Sequence, residues 1–203
     1  MFDHVLLDLV NALKGSLATS MLEAPITEER LQFDVWAGDL SFETSYTLPG
    51  EEDPPRVRAD ISVEWSTWSQ SAYRSWTLGE GLAEPIEVDI EIALRLGGIA
   101  HDLNVEEVVR QLPRRSPEVF ESAFDLTGSS CERNFDVATE RNEFTAEFAY
   151  EAILRIDEED LGDTTSFDKQ FAPIGQWLAT LLVRLSDLNL SYIMPDDNPA
   201  EDS

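Results

Sequence analysis

One cysteine and two histidines are all that the 203 residues hold of the side chains most often used to ligate metals or to carry covalent catalysis. Cys131 has no second cysteine to pair with, which excludes a disulfide framework and a cysteine zinc cluster. The glycines fall into no GxxxxGK[ST], GxGxxG or GxSxG arrangement, and there is no HExxH. No apolar run approaches membrane-spanning length, the longest running from Trp177 to Val183. Asp3 and Asp8 stand where a signal peptide carries basic residues. The expectation is a soluble cytoplasmic protein with no cofactor, no bound metal and no catalytic residue, which leans away from an enzyme without deciding the point.

What the chain has is charge of one sign. Asp and Glu number 41 against 14 Lys and Arg, a net charge of −27, while 42% of the residues are apolar. The apolar share is that of a folded globular chain. The basic residues are nearly all arginine, Lys14 and Lys169 being the lysines. Such a surface repels phosphate backbones and anionic membranes. It therefore predicts a protein partner with a basic surface, with neither direct nucleic-acid binding nor membrane binding. Adaptation to a salty or crowded cytoplasm produces the same composition.

The strongest pattern runs from Pro85 to Gly98. Ile86, Val88, Ile90, Ile92, Leu94 and Leu96 alternate with Glu87, Asp89, Glu91, Ala93 and Arg95, the period of a strand with one buried and one wet face. Burying six such side chains is worth on the order of 10 kcal/mol before entropy is charged against it. Helical spacing of Val5, Leu6, Leu9, Leu13 and Leu17 predicts an N-terminal helix over 2 to 22. Alternation predicts strands at 31–35, 40–48 and 59–65, and a further hairpin across 66–78. Asn104, with Glu106 and Glu107 in the first turn, predicts a short helix ended by Pro113. Ser116-Pro117-Glu118 predicts another through Phe124.

Residues 131–157 alternate as a hairpin, although Glu143, Glu147, Glu151 and Arg155 sit four apart as on a helix. Phe33-Asp34-Val35 with Phe42 and Tyr46 reappears at identical spacing as Phe135-Asp136-Val137 with Phe144 and Phe148, suggesting a worn duplication of a helix–hairpin unit. Phe171, Ile174, Leu178, Leu181, Leu185 and Leu188 predict a C-terminal helix with Pro173 in its first turn; its stripe faces a sheet or forms a homodimer seam. The fold class is α+β: a largely antiparallel twisted sheet of about six strands in hairpins, covered on one face by the N- and C-terminal helices. It forms a single domain over 1–194, with 1–98 and 104–190 as halves, and 195–203 as a disordered acidic tail.

Three short resemblances bear on function. Trp65-Ser66-Thr67-Trp68-Ser69 resembles the WSxWS box of cytokine-receptor domains, without the paired cysteines of that family. The resemblance implies stacking of Arg56, Arg58 or Arg74 on Trp65, Trp68 or Trp76. Trp68 at a hairpin tip would equally serve as an exposed anchor. His101-Asp102 resembles the central pair of HD-type metal phosphohydrolases, but only His4 remains as a further histidine. Asp157 to Asp168 approximates a calcium loop, with Leu161 where an oxygen ligand belongs. The order of elements is similar to that of the small acidic chaperones of specialised secretion, a likeness of fold alone.

These readings converge on a non-enzymatic interaction module, whether adaptor, chaperone-like protein or inhibitor or immunity-type protein. Its partner-binding residues are Trp65, Trp68, Arg74, Trp76, Glu87, Asp89 and Glu91. One alternative is a small-ligand cup or enzyme lined by Trp36, Trp65, Trp76 and Phe148, with Arg58 or Arg74 among its polar groups. Another is a nucleic-acid mimic that blocks a DNA-binding protein.

Overall fold

The alternation at the centre of the chain makes the strand it predicts. In the computed structural model, which describes residues 4–20, 22–23, 30–33, 38–50, 54–136 and 141–193, Ile86–Ile99 is a strand. Ile86, Val88, Ile90, Ile92, Leu94 and Leu96 are at most 2% exposed, and Glu87, Asp89 and Glu91 point to the opposite, exposed face.

In chain order the elements are α1 (His4–Thr19), β1 (Arg30–Phe33), β2 (Leu40–Thr47), β3 (Val57–Trp65), α2 (Thr67–Thr77), β4 (Ile86–Ile99) and α3 (Val105–Val109). Then follow β5 (Arg115–Val119), β6 (Ser122–Asp136), β7 (Arg141–Ile156), α4 (Glu158–Gly162) and α5 (Phe167–Ser186). The strands form one seven-stranded sheet in the order β1-β2-β3-β4-β7-β6-β5. Each neighbouring pair is antiparallel. After β4 the chain crosses through α3 to the far edge and meanders back, so β7 closes against β4. The β1–β2 and β6–β7 hairpins share a register, Phe33 lying opposite Leu40 and Phe135 opposite Asn142. Val35 and Val137 of the repeated pattern, and the 195–203 tail, lie outside the described residues.

The apolar face of the sheet is covered by α1 and α5, and one core cluster runs from Val5 to Leu185. The stripe on α5 is spent on this core: Phe171, Ile174, Leu178, Leu181 and Leu185 are at most 1% exposed. The two helices meet at Gly175, where a Cβ would lie 2.3 Å from the Ser16 carbonyl oxygen. Tyr150 of β7 is buried beneath α5. Its ring meets Trp177 edge-on at 5.1 Å, and its hydroxyl donates to the Pro113 carbonyl at 2.8 Å. Burial pushes this phenol up to about 12, with Arg184 pulling the other way.

Four local expectations are corrected. The stretch 66–78 is a helix, not a hairpin. Ser66 accepts from the Ser69 N–H, and Ser69, Gln70 and Tyr73 are buried at helical spacing. The helix ends in a Schellman turn at Gly79 (φ 81°), with Gly79 N–H donating to Trp76 O and Glu80 N–H to Ser75 O.

The segment after Ser116 is a hairpin, not a helix. Phe120 and Glu121 both take positive φ (48° and 56°), as a two-residue turn between antiparallel strands requires. The Phe120 ring sits 5.0 Å from Phe167 and 5.8 Å from Phe171, so packing holds a turn that these residue types disfavour. Pro117 lacks a donor for the ladder and lies on an edge strand. Ser116 Oγ takes the Phe124 N–H at 2.9 Å in place of a backbone acceptor. Pro173 falls in the second turn of α5, because that helix begins at Phe167, and α3 stops at Val109, short of Pro113.

Gly175→Ala is expected to cost about 3 kcal/mol in urea unfolding, since α1 must shift to admit a methyl group. Gly15→Ala, with open space around the added Cβ in the middle of α1, is expected to stabilise by up to about 1 kcal/mol. Equal tolerance of the two substitutions would contradict the close crossing.

Candidate functional site

The second face of the sheet is covered by no described element, and its side chains follow from register. Glu64 of β3 lies directly opposite Asp89 of β4, Glu91 opposite Glu151 of β7, and Glu151 opposite Asp125 of β6. All five carboxylates are exposed and line one shallow depression of about 380 Å³. Facing pairs on antiparallel strands bring Cβ atoms within about 5 Å, where like charges destabilise the sheet. Partial burial, and Glu87 beside it, hold the Asp89 carboxyl above its ordinary range. Ile153, opposite Asp89 on β7, breaks the acidic field with an apolar side chain 51% exposed.

Toward the other end of the same face the charges are paired. Arg95 Nε donates to Glu147 Oε2 at 2.7 Å. Asp60 Oδ2 lies 3.1 Å from Arg95 Nε and 3.3 Å from Arg58 Nε, too oblique to both for a hydrogen bond. Ser45 Oγ donates to Asp60 Oδ1 at 2.6 Å and fixes that carboxylate. Arg155 pairs with Glu87 at 3.2 Å nearer the acidic end.

The residues singled out in the sequence divide. Glu87, Asp89 and Glu91 share the open face. Trp65 is wholly buried, edge-on to Tyr73 at 6.3 Å, so its ring cannot meet a docking partner. Trp76 packs on Tyr73 at 5.9 Å and donates from Nε1 to Glu158 at 3.2 Å, tying α2 to α4. Arg74 reaches back to Gln70 Oε1 at 3.5 Å. Trp68 is 72% exposed, on a helix rather than at a hairpin tip. Ser69 Oγ donates to Glu87 O at 2.6 Å and bolts α2 to β4.

Sequence reasoning missed Glu64, Asp125, Glu151 and Ile153 as parts of one surface. A signal was present: Glu143, Glu147, Glu151 and Arg155, four apart, share one face of a strand as readily as one side of a helix.

The metal-like motifs have other uses. Among the described residues no three His, Cys, Asp or Glu side chains are grouped so as to hold a metal ion. His101 and Asp102 are exposed, with Cys131 Sγ 3.9 Å from Asp102 Oδ1. Asp157 spends its carboxylate capping α4, accepting from Glu159 and Asp160 N–H groups at 2.9 and 3.0 Å, and Leu161 is buried. Trp36 lies outside the described residues, and Phe148, like Trp65, is in the core rather than on a pocket wall.

A raised carboxyl makes the folded state hold its proton longer than the unfolded chain does. The charge of Asp89 therefore lowers stability above the ordinary carboxylate range, and the burden disappears once both states are protonated. Asp89→Asn is expected to stabilise by about 0.5 kcal/mol at pH 7, with the gain fading as pH falls toward about 4 and absent below it. Urea midpoints across pH test this, and a pH-independent or negative effect would contradict it.

No protein-family model, curated protein or solved structure matches this chain.

Proposed function

We propose that this chain is a non-enzymatic interaction module that docks a basic segment of a protein partner on its uncovered sheet face. The observation that carries the reading is the register that sets Glu64 against Asp89, Glu91 against Glu151, and Glu151 against Asp125. Folding alone disfavours those pairings, whereas lysines and arginines of a partner convert the repulsion into attraction. Ile153 in the same field gives an apolar contact that a purely solubilising surface does not need. Trp68 on α2 adds an exposed aromatic side chain of the kind enriched at binding hot spots.

Docking on the face is favoured over strand addition at the β5 edge. Pro117 and the register shift between Arg115 and Glu118 interrupt the ladder there. The mimic of nucleic acid fits less well. Carboxylates also stand exposed on α3 and α4 (Glu106, Glu107, Glu158 and Glu159), rather than in two phosphate-like rows. Adaptor, chaperone-like and inhibitor or immunity roles share the proposed chemistry, and a tight inhibitor would bind with strongly salt-dependent association.

The test is localisation, because any polycation is drawn to a chain of net charge −27. An amphipathic lysine–leucine dodecapeptide is expected to shift the amides of Asp89, Glu91, Asp125, Glu151 and Ile153 in NMR spectra. Glu64→Gln/Asp89→Asn/Glu151→Gln should weaken binding about tenfold or more, and the charge-matched Glu106→Gln/Glu107→Gln/Glu158→Gln less than twofold. Equal losses, or shifts spread over the outer faces of α1 and α5, would reject the reading.

A further inference from the structure

At the opposite end of the open face lies a groove lined by three arginines. It is formed where β3 begins, β4 ends and β7 begins, beside the C-terminal segment at Tyr192 and Ile193. The ladder between β4 and β7 shifts register between Leu96 and Ile99, and Gly98 takes φ 67°, so the strands part and leave a notch. A Cβ built at Gly97 or Gly98 would meet no atom within 4 Å, so the floor is open. The walls are tied together: Gly97 N–H donates to Arg56 O at 2.9 Å, and Ile193 N–H to Gly98 O at 2.7 Å.

Among the described residues, Arg56, Arg58 and Arg95 line this groove with Glu143 as the lining carboxylate, in a chain with nearly three acids to each base, while Asp60 and Glu147 pair with Arg58 and Arg95 from outside it. The acidic depression on the same face has no basic side chain among its lining. Arg58 and Arg95 approach Asp60 and Glu147 most closely through Nε, and no hydrogen bond joins their Nη groups to a described residue. Two guanidiniums are thus oriented from behind while the fork that receives an oxyanion stays available. Arg56 lies over the Tyr192 ring, 4.9 Å from its centroid. That ring, with Pro54, Pro55 and Ile193, makes the rest of the wall apolar, and the volume of about 490 Å³ suits a small molecule.

We propose that this notch binds a small ligand bearing a carboxylate or phosphate group on an apolar body, the oxyanion on Arg58 and Arg95 and the body against Tyr192 and the prolines. The site stands apart from the docking of a basic partner. It uses the opposite charge, and either activity can fail without the other.

The test titrates the isotope-labelled full chain with phenyl phosphate, phenylacetate, inorganic phosphate and benzyl alcohol. Phenyl phosphate or phenylacetate is expected to shift the Gly97, Gly98 and Thr145 amides saturably, the tighter of the two naming the head group. Inorganic phosphate should act on the same amides more weakly, and benzyl alcohol not at all. Arg58→Gln and Arg95→Gln should each weaken binding about tenfold, while Glu143→Gln tightens it. Arg58→Lys, which keeps the charge, separates fork recognition from simple attraction by losing most of the affinity. Thermal melting of each variant confirms folding. Equal response to benzyl alcohol, affinity unchanged in both glutamine variants, or shifts centred on Arg110, Arg114 and Arg115 would overturn the proposal.

Discussion

Six apolar side chains on one face of β4, packed beneath α1 and α5, are the contact on which the rest of the molecule depends. β4 pairs with β3 on one side and β7 on the other, so its register propagates into both halves of the sheet. Because side chains alternate across a strand, committing Ile86, Val88, Ile90, Ile92, Leu94 and Leu96 inward commits Glu87, Asp89, Glu91 and Arg95 outward. A slip of one residue would exchange the two sets and bury four charges. The helices close over the inner face because Gly175 lets their backbones touch, and nothing described closes over the outer one.

The outer face is therefore a product of the core, but its charge layout is not dictated by it. Any polar residues would satisfy the alternation. Instead, acids face acids across β3, β4, β7 and β6, while the arginines gather with Asp60 and Glu147 at the other end. Half-buried surface ion pairs of this kind contribute modestly to stability, at most about 1 kcal/mol each. Facing acids lower it. A surface arranged against local stability is where sequence rules give way to function. The two ends of the face thus differ in charge layout: facing acids at one, arginines paired with acids at the other.

Elements whose signal is periodic and local were legible: α1, β2, β3, β4, β7 and the stripe of α5. The misread segments show what overrides the pattern. Ala72, Arg74, Trp76 and Leu78 alternate, yet the cap at Ser66 and the stop at Gly79 define a helix between them. Ser-Pro-Glu opens helices as a rule, but at 116–118 it lies on an edge strand, and the turn that follows is set by Phe120 packing on α5, over forty residues away in sequence. The wet face of β4 could be read from one strand. Its neighbours Glu64, Asp125 and Glu151 could not, because only pairing brings them beside it. The arginine notch depends on a register shift between Leu96 and Ile99; Gly97-Gly98 marks the break in the sequence, but not which side chains it brings together.

The most direct measurement is a double-mutant cycle between Glu91 and Glu151, read as unfolding free energy at low and at high salt. Repulsion across the β4–β7 pair predicts that either glutamine substitution stabilises the fold at low salt. The coupling energy should be about 0.5 kcal/mol and mostly disappear in 1 M NaCl. A coupling of zero at low salt, or a loss of stability on neutralising either residue, would mean that the two carboxylates do not face one another across an open sheet.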